Sequence, residues 1–517
     1  MEIHLLFLVL LFGSLFAAIL SGTPALFAIA GAPLLVAGIG IVTGNFDPAF
    51  LHAFPQRVFG MMGNQLFIAL PLFIFMGILM EKAGLANSML LAANRLAGQS
   101  KRGLGLSVLG GSTLIAATTG IVGATIVMLG AISYPALIRA GISERLSSGL
   151  VISAGTLGQI IPPSIVLIIL ADQISSAHQE AQRAMGVFAI EPVTVSDVFA
   201  GALLPGLLLV GLYAVYLFVA LGKDQTRSNS VSDEFEANET NDVNIGVLLA
   251  PLFLIVAVLG SILFGIATPT EAASIGAAGT LLLAGIQQDY TTMSGLGKLK
   301  SYIGPLGIGA FLLLGLAGMG APFWNVIWVT LLSLVVFLAM AFAIMKLVHC
   351  KVFGQVLSET IYLSGMIFGI VLAASLLSLV FRGFDGDVLF GQLASSLPGG
   401  KWGALLFVML IVFLLGFLLE FIEIIFIVIP IAGPILLAMD IDPVWLAVLF
   451  ALNLQTSFLT PPFGVALFYF RSVAPSTLAT STIYRSIIPF VGLQLLALAI
   501  VVLFPQIALF LPNAMFG

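Results

Sequence analysis

ISERLSSGLVISAGTLGQIIPPSIVLIIL, residues 142–170, decides the fold because the chain contains it twice. Shifted by 299 positions, IDPVWLAVLFALNLQTSFLTPPFGVALFYF, residues 441–470, lies on top of it. Pro135 meets Pro434, Ile142 meets Ile441, Leu150 meets Leu449, and Pro162-Pro163 meets Pro461-Pro462. Matches of Ala, Leu and Ile are cheap in an apolar chain; a proline and then a proline pair at one fixed spacing are not. Each copy reads as a long apolar helix broken near its middle. Gly155, Thr156 and Gly158 precede one break, and Asn453, Thr456, Ser457 and Thr460 the other. Proline removes a backbone donor and frees carbonyls that lipid cannot satisfy, so each break must face protein, water or a bound ion. Kinked structural helices account for the prolines alone; the duplication and the small polar residues beside each kink favour an ion and substrate site.

Composition bounds the class. Of 517 residues, 60% are hydrophobic and 8% charged, and the mean hydropathy is +1.19. That balance belongs to a polytopic membrane protein and not to a soluble core. The single Cys350 excludes an internal disulfide and a cysteine-based metal cluster. The four histidines (His4, His52, His178, His349) lie in separate loops or ends without ligand spacing, so no transition-metal site is expected. Lysines and arginines are scattered one or two per loop, which gives no footprint for nucleic acid. No Walker, GxSxG or HExxH pattern occurs, so the chain is not expected to be an enzyme and needs no cofactor.

About 12 apolar segments are long enough to cross a bilayer: near 5–20, 24–43, 65–81, 149–170, 197–221, 246–266, 267–285, 303–321, 324–345, 355–381, 444–470 and 487–510. Residues 4–20 lack the basic flank of a signal peptide and count as a span. The stretches 103–140 and 402–440 are apolar but interrupted at their centres, and read as re-entrant helical hairpins. Residues 85–97 alternate apolar and polar faces, as a helix lying in the interface does. Two stretches look soluble, 171–196 and the cytoplasmic loop 222–244.

The repeat extends further. At an offset of 245, Thr23-Pro24 meets Thr268-Pro269 and Gly40 meets Gly285; at 299, Gly84 meets Gly383. The growth in offset is explained by an extra helix pair within 300–350. The chain therefore divides into a first repeat, 1–244, and a second, 245–517. Five crossings separate Thr23 from Thr268, and an odd number inverts the second copy. An all-α protein of inverted repeats with matching broken helices is the pattern of secondary transporters, with the site at the repeat interface. Placing 82–102, 139–145, 222–244, 286–302, 346–351 and 471–486 on one side collects fourteen of the 18 lysines and arginines. Arg57, Arg183, Arg382 and Lys401 remain opposite. The positive-inside rule makes the first side cytoplasmic and both termini periplasmic.

Three places carry chemistry. The first hairpin turns at Ala117-Thr118-Thr119-Gly120, where hydroxyls and carbonyls suit a Na⁺ shell, although close helix packing uses the same small residues. The second turn, GFLLEFIEII, places Glu420 and Glu423 in an apolar run. A charge at the bilayer centre costs roughly 2.5–3.5 kcal/mol on insertion scales, so such carboxylates are by default functional. Three apart on one helical face, they share a cation or proton, or else the turn reaches headgroup depth and they are solvated. Glu271 of TPTEAA, by contrast, reads as a helix cap.

LFIALPLFIFMGILMEKAG (66–84), YPALIRAGISERLSSGLVISAGTLGQIIPPS (134–164), VFAGALLPGLLL (198–209), FGIATPTEAASIGA (264–277) and 441–475 together resemble the large membrane subunit of tripartite ATP-independent periplasmic (TRAP) transporters. The resemblance implies an elevator-type transporter of the ion-transporter fold in the bacterial inner membrane, importing a small organic anion with Na⁺. It implies two partners, a small four-helix membrane subunit and a periplasmic substrate-binding protein. One Na⁺ would then lie near Thr119, Gly120, Gly158, Ile161 and Pro163, and a second near Gly416, Thr456, Ser457, Thr460 and Pro462. Thr118, Thr156, Glu420, Glu423 and Asn453 would line the substrate path. Two features depart from the pattern: Ile121-Val122 stand where relatives usually carry serines, and Glu420 where an Asp is common, with Glu423 additional. Other readings are a self-sufficient anion/Na⁺ symporter of the same fold and a non-transporting channel or structural subunit.

Overall fold

The computed structural model describes residues 2–64, 66–96, 100–119, 122–189, 191–223, 245–287, 306–311, 326–461 and 464–516. Among the described residues every regular element is helical, with no strand. Eight helices among the described residues are long and apolar enough to cross a membrane, or up to ten if two bent pairs each count as one span. The expected 149–170 and 444–470 are each cut into shorter helices at the proline pair. Most of 303–321, the loop 224–244 and the first member of the extra helix pair lie outside the described residues.

The helix boundaries repeat as the prolines do. Val122–Arg139 and Phe421–Ala438 are each 18 residues long, with both ends displaced by 299. Lys101–Thr119 and Lys401–Leu415 precede them and pack against them, in the stretches 101–139 and 401–438 that the sequence reads as hairpins. Before the second hairpin the chain bends by 119° between Gly386–Ser396 and Lys401–Leu415. Gly399 and Gly400 make that bend at φ +94° and +58°, a left-handed backbone that side chains disfavour.

The chain forms two compact units, each drawn from separated stretches: Met1–Ile68, Gln159–Leu212 and Leu363–Gly517 in the first, Ala69–Gly158 and Tyr213–Tyr362 in the second. In the first, helix Pro443–Leu459 is buried at every position from Val444 onward. Its start is set by Pro443 at the first turn and by Asp442, whose Oδ1 accepts from Trp445 N at 3.0 Å. Trp445 Nε1 then donates to Val501 O at 2.9 Å and ties the helix to Thr480–Leu503. A helix apolar on all sides belongs at a core, and polar groups carried there must find partners.

In the second unit the counterpart is Glu144–Gly155, buried from Leu146 to Gly155 and packed against both arms of the first hairpin. The amphipathic 85–97 forms helix Leu85–Leu96, with Leu85, Ala86, Met89 and Leu90 buried. Helix Val326–His349, the described member of the extra pair, packs on Pro269–Gln287, and Lys346 Nζ donates to Gly285 O at 2.7 Å. The cap read in TPTEAA is present: Glu271 Oε2 accepts from Thr268 N at 2.8 Å, while Glu271 N donates to Thr268 Oγ1 at 3.3 Å. Outward-facing apolar side chains such as Leu6, Val9, Phe337 and Leu338 are exposed, as lipid contact requires.

One expectation changes. Residues 171–196 read as soluble, yet helix Ile165–Ala184 runs straight through the first half of that stretch. Ile174, Ala177 and Ala181 recur at helical spacing and are buried, so one face stays in the core while Gln173, His178, Gln179 and Glu180 are partly exposed.

Candidate functional site

Both broken helices break where expected. In the first copy Glu144–Gly155 ends, a 3-10 turn covers Thr156–Gln159, and helix resumes at Ile165. Thr156 closes the first half by donating its Oγ1 to Ser153 O at 2.8 Å. Ser164 reaches back across the gap, its Oγ donating to Gln159 O at 3.1 Å. Within the second unit Gly158 lies against the end of the first hairpin arm: a Cβ there would sit 2.9 Å from Ala116 O. Gly155 is pressed against Ile126 on the second arm with no room for a side chain. Thr118 and Thr119 close the first arm; their side chains, with Gly120, lie outside the described residues. Ile161 and Pro163 are buried in the first unit.

In the second copy Pro443–Leu459 ends at Thr460 and helix resumes at Val465; Pro462 lies outside the described residues. Thr456 Oγ1 donates to Leu452 O at 2.7 Å, Ser457 Oγ to Leu454 O at 2.8 Å, and Thr460 Oγ1 to Thr456 O at 2.8 Å. Each hydroxyl thus spends its proton on its own helix and keeps lone pairs that can accept or coordinate. Gly416 ends the first arm of the second hairpin and meets Ser457 Oγ directly, again leaving no space for a Cβ. Asn453 is a tether, with Nδ2 donating to Met409 O of the same arm at 2.7 Å.

The two glutamates are arranged differently from the expectation of one helical face. Glu420 stands before the helix in extended backbone as its N-cap, and Glu423 is the third helical residue. They form a capping box: Glu423 Oε2 accepts from Glu420 N at 2.9 Å, and the Glu420 side chain accepts from the Glu423 backbone. Four amides are unpaired at any helix start, and in lipid they must be satisfied internally. The carboxylates supply acceptors for two of the backbone amides there, those of Glu420 and Glu423. Tyr469 OH donates to Glu420 Oε1 at 3.4 Å, linking the hairpin turn to the helix that follows the second break.

Sequence reasoning passed over two residues. Tyr469 gave no signal beyond being a tyrosine in an apolar helix. Gln159 is fully buried in the first break, with neither Oε1 nor Nε2 bonded. A polar residue one position after Gly158 and three before a proline pair was the available signal.

These features agree with what the chain is similar to. A family model described as tripartite ATP-independent periplasmic transporter, DctM component, matches residues 12–299 and 291–507. The chain is 25% identical to the C4-dicarboxylate TRAP transporter large permease protein DctM of Pseudomonas aeruginosa over 470 residues, covering 90% of this chain and 91% of that protein. It is also 25% identical over 503 residues to the isethionate TRAP transporter permease protein DctMQ of Oleidesulfovibrio alaskensis, covering 95% of this chain and 66% of that one. Among solved structures, the YdaH transporter of Alcanivorax borkumensis shares the fold at a TM-score of 0.54 and 14% identity, over 89% of this chain and 90% of that one.

Proposed function

The chain belongs to the family of the DctM component of tripartite ATP-independent periplasmic transporters, and from that premise we propose that it imports a carboxylate-type organic anion coupled to Na⁺. It is the large membrane subunit of such a transporter, a multi-pass protein of the bacterial inner membrane and not an enzyme. In our reading it receives substrate from a periplasmic binding protein and works beside a small four-helix membrane subunit. The DctMQ relative, whose length exceeds this chain's match to it, is consistent with a membrane partner outside this chain.

One observation carries the coupling proposal. In both copies a hairpin end abuts a broken helix through a glycine, Gly158 on Ala116 and Gly416 on Ser457. Such a junction gathers uncapped carbonyls and hydroxyls where the backbone departs from helix, the oxygen set a hard monovalent cation takes. In our reading Gly158, with Thr119 and Gly120, would hold one Na⁺ in the second unit, and Gly416, Thr456, Ser457, Thr460 and Pro462 a second in the first unit. Thr118, Thr156, Glu420, Glu423 and Asn453 would flank the substrate path. The 299-residue recurrence with an odd number of intervening spans supports inverted repeats, and inversion supports alternating access of the elevator kind. The fourteen-to-four distribution of basic residues supports periplasmic termini.

The test is uptake into proteoliposomes holding this chain, its small membrane partner and the binding protein. We expect accumulation only with all three components and an inward Na⁺ gradient. Uptake by this chain alone would favour the self-sufficient symporter, and uptake indifferent to Na⁺ would remove the coupling.

A further inference from the structure

Within the first unit a cavity of about 360 Å³ is walled by the same faces of several helices. One wall is Arg57, Met61 and Asn64; a second is Asp172, Ser176 and Glu180 of helix Ile165–Ala184, four residues apart in turn. A third is Ser375, Ser378 and Arg382 of helix Val352–Gly383, and Phe426 and Pro430 of the second hairpin arm complete it. At 1.5 Å per residue, those last two stand roughly 9–15 Å along the arm from Glu420.

The polar groups are unequally employed. Arg382 Nη2 donates to the Glu180 carboxylate, so those charges answer each other. Asp172 accepts from two neutral amides, Asn64 Nδ2 at 2.8 Å and Gln173 Nε2 at 2.9 Å, and keeps lone pairs to spare. Half-buried Arg57 makes no hydrogen bond or ion pair among the described residues. Ser375 is 7% exposed, and its buried Oγ has no partner. A guanidinium fork and a hydroxyl are therefore left in one concavity, whose volume lies within the roughly 300–1,000 Å³ of small-molecule sites.

We propose that this cavity binds a monocarboxylate that also carries a hydroxyl or amino group, its carboxylate held by Arg57 and Ser375 and its donor by Asp172. The parallel N–H groups of a guanidinium match the two oxygens of a carboxylate, which a point charge does not. Arg382 is already bonded to Glu180, which leaves the Arg57 guanidinium as the cation whose N–H groups are open to one added carboxylate. The second carboxylate of a dicarboxylate would face Asp172 and Glu180 with no cation remaining, and is excluded by repulsion. The basic-residue distribution puts Arg57 and Arg382 on the periplasmic side, where the cavity would serve as an entry site. That meaning rests on the import reading; binding itself needs neither Na⁺ nor a partner.

The experiment is equilibrium binding to the purified full chain in lipid nanodiscs without Na⁺, with lactate, propionate and succinate as probes. Lactate should bind saturably, and propionate and succinate more weakly, succinate by about tenfold. Arg57→Gln should weaken lactate about tenfold or more, Arg57→Lys should lose a smaller part by keeping charge without the fork, and Asp172→Asn should narrow the gap between lactate and succinate. The site is overturned by no saturable lactate binding to wild type, by wild-type affinity in both Arg57 variants, or by succinate binding as tightly as lactate. If Arg57→Gln does not elute as a monodisperse species, the Arg57→Lys and Asp172→Asn results decide. Na⁺-driven uptake is measured separately, so loss of this site and loss of the coupling reading are told apart.

Discussion

Gly416 lies so close to Ser457 that only a hydrogen fits between the glycine Cα and the serine Oγ. The related contact in the other copy has the glycine on the opposite side: Gly158 of the broken helix faces Ala116 of the hairpin. A shift of 299 takes Gly158 to Ser457 and Ala117 to Gly416. Lipid tails are as apolar as the helices, so close backbone approach and van der Waals contact hold such junctions together. What each copy preserves is the close approach and not the residue that permits it.

A first prediction follows from that contact. Gly416→Ala should force the hairpin end off the broken helix, destabilising the protein by roughly 1–3 kcal/mol and abolishing uptake. Adding Ser457→Gly removes the colliding hydroxymethyl group and should restore much of the melting temperature. If Gly416→Ala alone melts and transports as wild type, the junction is looser than described.

Glu423 separates a cap from a coupling role. Glutamine can replace glutamate at the third position of a capping box, so Glu423→Gln should keep wild-type stability. Glu423→Ala removes the acceptor for Glu420 N and should cost about 1 kcal/mol. A stable Glu423→Gln with an altered pH profile of uptake would reinstate the shared-proton role.

Topology is tested by thiol labelling in a Cys350→Ser background, since Cys350 is exposed. Cysteine in place of Ser176, or added at the C-terminus, should react with an impermeant reagent from the periplasm, and cysteine in place of Ser230 should not. Labelling at position 230 from outside intact cells reverses the orientation.

The breaks were legible because proline and glycine act locally: Pro162-Pro163 ends a helix whatever surrounds it. The cap at Glu271 was legible for the same reason, its partner Thr268 being three residues away. The role of Glu420 and Glu423 was half legible. Their depth in an apolar run was visible, but whether Glu420 is the last residue outside the helix or the first inside it turns on one dihedral pair. Helix Ile165–Ala184 was missed past Leu170 because its polar face dilutes the average hydropathy while a narrow stripe stays buried. The Arg57–Ser375 cavity was not legible at all, since it joins residues from four separated stretches.

The most direct measurement of the central claim, that the hairpin–break junctions bind the coupling ion, is the Na⁺ dependence of uptake in Thr456→Val with Thr460→Val. Valine keeps the shape of threonine and removes both hydroxyl oxygens beside the second break. The account predicts a folded protein whose half-maximal Na⁺ concentration rises about tenfold or more, which is the loss of roughly 1.4 kcal/mol of ion binding. An unchanged Na⁺ dependence in the double variant, at wild-type expression and stability, would contradict it.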